Sequence, residues 1–181
     1  MKGIVFTLLQ EVVTKEHGER TWDSLLESAG LEGAYTAVGT YPDQELVALV
    51  AAAAAALQSP PDDVLRWFGR KALPLLAGQV PQVFQGHTST QGFLLTLNEV
   101  IHPEVRKLFP GAYAPEFDFT LRDNGLALGY TSARRLCSFA EGLILGAADY
   151  FGERAEVIHE QCMKRGDATC RLSCTFSAVP L

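Results

Sequence analysis

The sequence predicts an α+β fold, in which an N-terminal helical subdomain precedes a C-terminal lobe with a four-stranded antiparallel sheet and a helix. Residues 1 to about 110 show helical apolar spacing between Gly and Pro punctuation. Residues 111–181 show two period-two hairpin patterns around one further helical pattern. A length of 181 residues is typical of one domain, so we expect residues 1–181 to form a single domain.

Four helices are predicted in the first 80 residues. The first has apolar residues at four-residue spacing on two flanks and is expected to be largely buried. The second, "TWDSLLESAG", ends at Gly30, a residue type common at helix C-termini. The third begins near Asp43, and the fourth, "SPPDDVLRWFGRKALPLL", has Ser59 as its predicted N-cap. Pro74 lacks a backbone N–H and therefore predicts a kink or a break in the fourth helix.

The segment "TQGFLLTLNEVIHPEVRKLF" is predicted to form the next helix. His102 lies within it, and Pro103 removes a backbone donor directly afterwards. The helix is expected to bury a broad apolar face that consists of Phe93, Leu94, Leu95, Leu97, Val100 and Ile101.

The rest of the chain predicts the order strand, strand, helix, strand, strand. "PEFDFTLRDNGLALGYTS" alternates apolar and polar residues on both sides of a turn at Asn124–Gly125, which indicates a hairpin. "RRLCSFAEGLILGAADYFG" predicts a helix with an apolar stripe. "AEVIHEQCMKRGDATCRLSCTF" predicts a second hairpin that turns between Lys164 and Asp167.

Composition and charge disfavour nucleic-acid binding, membrane spanning and secretion. A net charge of −6 and a pI near 5.2 disfavour nucleic acid as a partner. The longest apolar block, residues 46–57, is too short and alanine-rich to span a membrane, and the N-terminus does not resemble a signal peptide. We therefore expect a cytoplasmic protein without a membrane partner, whose four cysteines are thiols or metal ligands.

Polar residues in "YTSAR" and the histidine of "NEVIHPEV" are candidates for a binding site. Tyr130 and Ser132 have strand spacing and share one side, and Arg134 is predicted to begin the following helix. Two hydroxyls and a guanidinium could hold an acidic ligand such as a dicarboxylate cofactor. Spacing alone favours a buried core histidine at His102 and a surface arginine at a helix start at Arg134.

These motifs resemble the haem nitric oxide/oxygen-binding (H-NOX) family. The resemblance covers "MKGIVF", "NEVIHPEV", "YTSARR" and "FAEGLILGAADYF", and thus essentially the whole chain. It implies that haem b lies between the helical part and the sheet lobe, with His102 as the axial iron ligand. It further implies that Tyr130, Ser132 and Arg134 hold the haem propionates, and that Pro115 presses on the porphyrin.

One position departs from the oxygen-binding members of the family. They have a tyrosine five residues after the motif arginine, where this chain has Phe139. Bound oxygen would lack a hydrogen bond from that phenol, so the resemblance implies selectivity for nitric oxide. Further pocket residues are expected to be apolar, namely Val5, Leu9, Leu76 and Leu143.

A second constellation comprises Cys137, His159, Cys162 and Cys170. Cys162 and Cys170 would lie opposite one another in a hairpin that turns near Gly166. Four N/S ligands suit a structural zinc ion, although the spacing fits free buried cysteines equally well. The family resemblance favours zinc, because bacterial members with matching residues bind it. Cys174 shares strand parity with apolar neighbours and is predicted to be a core thiol.

The sequence shows no nucleophile–base pair, phosphate-binding loop or paired catalytic carboxylates, so we expect no enzymatic activity. The resemblance implies a nitric oxide sensor in which ligand binding weakens the bond to His102. Because the sequence contains no output domain, the regulated partner would be separate, commonly a histidine kinase or a cyclic-di-GMP enzyme. One alternative is a zinc-stabilised thiol redox sensor or interaction domain. A haem peroxide enzyme is disfavoured by the apolar "FAEGLIL" stripe.

Overall fold

The structure, a computed structural model, describes residues 1–179. These residues form seven α-helices and four β-strands. The helices are α1 (Gly3–His17), α2 (Glu19–Ala29), α3 (Asp43–Leu57), α4 (Pro61–Gln79), α5 (Thr90–Leu95), α6 (His102–Leu108) and α7 (Cys137–Phe151). The strands are β1 (Phe117–Arg122), β2 (Gly125–Tyr130), β3 (Glu153–Gln161) and β4 (Cys170–Ala178). No helix in this part of the chain is long and apolar enough to cross a membrane.

The predicted fold class and element order are confirmed. The strands form one antiparallel sheet in the order β1-β2-β4-β3, so the two predicted hairpins pair through β2 and β4. Six of the seven helices precede the sheet, and α7 connects its two hairpins. The first turn lies at Asp123–Asn124, one residue earlier than predicted, because Gly125 already pairs with Arg122.

The apolar residues form two cores that meet along α4. One core joins α1, α2, α3 and the first half of α4 around Phe6 and Phe68. The other joins the second half of α4, α5, α7 and the sheet around Leu126, Leu128 and Leu172. As a result, α4 and α7 connect the helical part to the sheet lobe.

The predicted N-cap of the fourth helix is wrong, and the break that Pro74 allowed is absent. Ser59 is not the N-cap, since the helix begins at Pro61 and Pro60 occupies the cap position without a side-chain bond. Pro74 does not end α4, which continues to Gln79. Pro74 cannot donate to the carbonyl of Arg70, and that oxygen instead faces Gly146 of α7.

The segment around the candidate histidine is not one helix. It consists of α5, a π-helical turn over Leu97–Ile101 and α6, which begins at His102. Only part of the predicted apolar face is buried. Phe93, Leu94 and Ile101 are buried, whereas Leu95 at the end of α5 and Val100 in the π-helical turn are exposed. Arg134 likewise does not begin a helix, because α7 starts three residues later at Cys137.

Glycines allow α4 and α7 to approach closely. A Cβ atom at Gly142 would lie 2.2 Å from the carbonyl oxygen of Arg66, and one at Gly146 would lie 2.6 Å from that of Arg70. A Cβ atom at Gly69 would lie 2.5 Å from the carbonyl oxygen of Phe139. Larger side chains at these positions would separate the two helices.

We expect the Gly142→Ala variant to lose about 1–3 kcal/mol of unfolding free energy, because the added methyl overpacks the contact with α4. Gly78→Ala is a matched control within α4, since no atom lies within 4 Å of its added Cβ. That control should gain up to about 1 kcal/mol from helix propensity. Urea unfolding measures both effects, and equal stability of the two variants would contradict the expected overpacking.

Candidate functional site

An apolar cavity lies between the helical part and the sheet lobe. Its walls come from α1, α4, α5, the π-helical turn, α6, the loop before β1, β2 and α7. Of the expected pocket residues, Val5, Leu76, Phe139 and Leu143 line this cavity, whereas Leu9 lies in the core of the helical part and Leu8 lines the cavity. Other apolar lining residues are Ile4, Leu73, Phe93, Leu94, Leu97, Leu128 and Ile144.

His102 lies on the wall of this cavity at the first residue of α6. Its ring contacts the ring of Phe117, with the two centroids 5.6 Å apart. Burial, together with the nearby charge of Arg106, lowers the pKa of His102 to about 4, and contact with the Pro115 carbonyl opposes this only partly. The imidazole is therefore neutral at pH 7 and retains a nitrogen lone pair, which metal ligation requires.

The three motif residues of "YTSAR" also line the cavity. The backbone N–H of Leu136 donates to the Tyr130 hydroxyl oxygen at 3.2 Å. The Ser132 hydroxyl oxygen accepts from the backbone N–H of Arg134 at 3.3 Å. These bonds hold the Tyr130 hydroxyl at the end of β2 and the Ser132 hydroxyl in the loop between β2 and α7.

Arg134 has partners that the sequence did not indicate. Its Nε donates to Asp43 Oδ2 at 2.7 Å, and the N-terminal ammonium of Met1 lies 2.6 Å from Oδ1 of the same carboxylate. The hydrogen bond from Arg134 is the main cause that lowers the pKa of Asp43. The Arg134 guanidinium also lies 5.2 Å from the centre of the Tyr113 ring. A cavity ligand with a carboxylate would thus meet a guanidinium that is already oriented.

Phe139 projects from the first turn of α7 into the cavity and stacks on Phe68 of α4, with ring centroids 5.0 Å apart. Val5, Leu76 and Leu143 also line the cavity. None of these four side chains has a polar N–H or O–H group. Among the described lining residues, hydrogen-bonding side chains are His102, Tyr113, Tyr130, Ser132 and Arg134.

A second cluster lies outside the cavity, where the β3–β4 hairpin meets the start of α7. The Sγ atoms of Cys137, Cys162 and Cys170 all lie within 4.8 Å of one another, and all three residues are buried. Those of Cys137 and Cys162 are 3.7 Å apart. Cys174 does not join the cluster. It is buried in the core as predicted, and burial raises its pKa to about 12.

His159, the fourth predicted ligand, lies beside this cluster but is not among the ligand atoms that all lie within 4.8 Å of one another. Its Nε2 is 3.0 Å from Glu141 Oε2, and its ring also contacts the thiols of Cys137 and Cys162. Hydrogen bonding, mainly to Cys137 and secondly to Glu141, raises the pKa of His159 to about 10. Burial disfavours the thiolate of Cys162 most strongly. The Lys164 backbone N–H and the neighbouring side chains outweigh that effect and lower its pKa to about 7.

The family is decided by comparison with known proteins. A family model described as Haem-NO-binding matches residues 2–159 of the chain. The chain belongs to the haem-NO-binding, or H-NOX, family. An H-NOX protein from Shewanella oneidensis, solved in the Fe(II)NO state, is 33% identical, with a TM-score of 0.91. That match covers 98% of this chain and 99% of the other.

Two further solved structures support the assignment. The H-NOX from Shewanella woodyi, solved with IWP-051 in the Fe(II)CO state, is 36% identical, with a TM-score of 0.80, and the match covers 99% of this chain and 95% of that one. The Fe(II) unliganded H-NOX protein from K. algicida is 27% identical, with a TM-score of 0.87, and covers 100% and 99% of the two chains. This H-NOX chain thus has a haem-based gas-sensor fold.

The cavity of this H-NOX chain fits a haem by its donor set. Its apolar walls suit a porphyrin, the neutral His102 offers a nitrogen ligand, and the hydroxyls of Tyr130 and Ser132 and the Arg134 guanidinium suit carboxylates. Sequence reasoning did not find Asp43 or the N-terminal ammonium as partners of Arg134. It also missed Glu141. Each of these contacts joins distant parts of the chain, and no local motif indicates them.

The lowered pKa of His102 predicts a pH dependence of stability in the haem-free protein. An unfolded histidine binds a proton near pH 6.5, whereas the folded one does so only near pH 4. Between these values the unfolded state binds more protons, so the free energy of unfolding should fall as the pH drops from 6.5 to 4. Denaturant unfolding of the wild type and of His102→Gln should show a steeper fall for the wild type. Parallel pH profiles would contradict this expectation.

Proposed function

We propose that this H-NOX chain is a nitric oxide sensor that uses haem b, with His102 as the iron ligand. The observation that carries the proposal is a neutral, half-buried histidine in a largely apolar cavity that Tyr130, Ser132 and Arg134 also line. Haem supplies an iron to which diatomic gases bind. His102 would hold it by the nitrogen that its neutral ring leaves free. We further propose that residues 1–181 form one non-catalytic domain.

The other residues would position the cofactor and exclude water. Tyr130, Ser132 and Arg134 would bind its carboxylates through hydroxyl and guanidinium donors. Pro115, which lines the cavity and contacts His102, would lie against the porphyrin. The apolar walls would keep water away from the iron, which favours small uncharged ligands.

Selectivity for nitric oxide over oxygen would follow from Phe139. Bound oxygen carries partial negative charge and is stabilised by a hydrogen-bond donor, which a phenyl ring does not provide. Val5, Leu76 and Leu143, the other residues expected near the ligand, are also apolar. The cavity therefore favours a ligand that does not depend on such a bond.

The test is the absorption spectrum of the reduced protein under anaerobic conditions, then after exposure to air and, separately, to nitric oxide. We expect a haem Soret band that nitric oxide shifts and that air leaves unchanged. A stable complex with oxygen would contradict the proposed selectivity. Absence of a Soret band after haem supplementation would contradict the proposed cofactor.

Output would pass to a separate protein. We propose a histidine kinase or a cyclic-di-GMP enzyme in the cytoplasm as partner, because the family resemblance implies these classes. The support within the chain is the close packing of α4 against α7, which connects the cavity to both lobes. A ligand that favours one arrangement of these helices would change the surface offered to the partner.

We further propose that Cys137, His159, Cys162 and Cys170 bind a structural zinc ion. The three close sulfur atoms and the adjacent imidazole match the N/S ligands that zinc prefers. We expect the purified protein to contain one zinc per chain, and Cys170→Ser to lose most of it. Metal analysis by mass spectrometry measures both, with Cys174→Ser as the matched control that keeps its zinc. Equal zinc content in the two variants would contradict the site.

A second candidate function is thiol redox sensing, favoured by the lowered pKa of Cys162 and its 3.7 Å distance from Cys137. One peroxide would oxidise the two thiols to a disulfide, with loss of two electrons and two protons, and be reduced to two waters. Loss of these ligands would release zinc. Zinc content and partner regulation that survive peroxide unchanged would contradict this function.

A further inference from the structure

We propose that Glu141 is a positioning residue for the zinc site, which accepts the Nε2–H of His159 and leaves Nδ1 as the metal ligand. The inference rests on the proposed zinc site. It adds a residue outside the ligand set and assigns the ligating nitrogen. It also connects the site to α4 in the helical part of the chain.

The geometry carries the assignment. Glu141 projects from α7, only 9% of its side-chain surface is exposed, and its two carboxylate oxygens have different partners. Oε2 lies 3.0 Å from His159 Nε2, and Oε1 accepts from Arg66 Nε at 2.6 Å. A carboxylate that is paired with a guanidinium is ionised and can only accept hydrogen bonds. Nε2 must therefore keep its proton, and only Nδ1 can provide a lone pair to a metal.

This arrangement has a known chemical consequence. A histidine that binds a metal usually donates its other ring N–H to a carboxylate or carbonyl, which fixes the tautomer and the orientation of the ring. In this chain the carboxylate is on α7, the histidine on β3 and the guanidinium on α4. Zinc bound by the cysteines and His159 would thus be connected to Arg66 through the Glu141 carboxylate.

A second contact ties the same hairpin to the same helix. Lys164, in the turn between β3 and β4, forms an ion pair with Asp62 in the first turn of α4. Arg66 also pairs with Asp63 at 2.5 Å. The start of α4 therefore holds both the hairpin turn and the Glu141 carboxylate. The cysteine cluster is thus linked through side chains to a helix that lines the haem cavity.

The experiment measures zinc affinity by competition with a chromophoric chelator, using the full chain with its haem. Removing a carboxylate that supports a metal-bound histidine typically weakens metal binding about 10–100-fold. We expect Glu141→Ala to bind zinc about 100-fold more weakly than the wild type, and Glu141→Gln about tenfold more weakly. Glu141→Gln keeps the side-chain volume and remains informative if Glu141→Ala does not fold.

Glu160→Gln is the matched control. Glu160 follows His159 on β3, is exposed and pairs with Arg122 at 2.6 Å, so its loss should leave zinc affinity unchanged. Long-range ¹⁵N–¹H NMR of zinc-loaded wild type should show a proton on Nε2 of His159 and none on Nδ1. That tautomer is a readout that a purely structural role of Glu141 would not predict.

The outcomes separate this inference from the proposed zinc site. If His159→Ala loses zinc affinity while Glu141→Gln stays within about twofold of the wild type, the role of Glu141 is wrong and the site stands. Coordination through Nε2 would overturn the inference in the same way. If the wild type binds zinc no better than His159→Ala, the proposed ligand set itself is wrong.

Discussion

The His102→Ala variant is expected to bind haem at least about 100-fold more weakly than the wild type, because it loses the proposed iron ligand. Removing a residue that only supports a metal ligand typically weakens metal binding about 10–100-fold, and loss of the ligand itself should cost at least as much. The variant keeps the apolar walls and the polar side chains of Tyr130, Ser132 and Arg134, so some haem should still bind. Because no protein ligand would hold the iron, that haem should pass readily to apomyoglobin. Added imidazole should restore part of the binding, since a free ring can occupy the space that the side chain leaves. Haem transfer followed at the Soret band measures the effect.

His87→Ala is the matched control for this variant. His87 packs on Phe93, with ring centroids 5.5 Å apart, but does not line the cavity. Its removal should alter haem retention little. If the two variants lost haem equally fast, or if His102→Ala kept a wild-type spectrum without imidazole, His102 would not be the ligand.

The second large effect is expected from Phe139→Tyr. The new hydroxyl would project from α7 into the cavity. It would provide a hydrogen-bond donor, which the side chains of Val5, Leu76 and Leu143 lack. A hydrogen bond to a charged acceptor contributes about 1.5–3 kcal/mol, which corresponds to about a 10–150-fold gain in oxygen affinity. The absorption spectrum of the reduced variant in air should then show an oxygen complex that the wild type does not form.

Phe119→Tyr controls for this change. Phe119 lies on β1 outside the cavity, so the same hydroxyl is added without access to a bound gas. It should leave gas selectivity unchanged. If Phe139→Tyr still failed to bind oxygen while retaining haem, absence of a phenol at this position would not explain the selectivity. Phe68, which stacks on Phe139, would then be the next residue to vary, because it sets the orientation of the ring.

The sequence determined the parts of this protein that depend on local backbone geometry. Alternating apolar residues predicted two hairpins, because side chains in a strand alternate between faces, and both hairpins are present. Equal spacing of Cys162 and Cys170 from the turn predicted that they approach one another, and their sulfur atoms lie within 4.8 Å. The family resemblance, and not local geometry, implied that "NEVIHPEV" and "YTSAR" belong to one site, and His102, Tyr130, Ser132 and Arg134 all line one cavity.

Local patterns were less informative where helix period or helix packing changed. A single continuous helix was expected to bury Leu95 and Val100, but α5 ends at Leu95, a π-helical turn that contains Val100 follows, and both side chains are exposed. Two faces of α1 are apolar, and periodicity could not tell which one lines the cavity. Leu8 lines it and Leu9 does not, because the choice depends on how α1 packs against α4.

The tertiary structure alone decided the partners of the charged groups. Arg134 pairs with Asp43, 91 residues away in sequence, and Glu141 joins Arg66 of α4 to His159 of β3. Sequence spacing describes neighbours within one helix or strand, whereas these contacts depend on where separate elements meet. A buried carboxylate requires compensating partners, but which cation provides them is set only when α4 and α7 pack together.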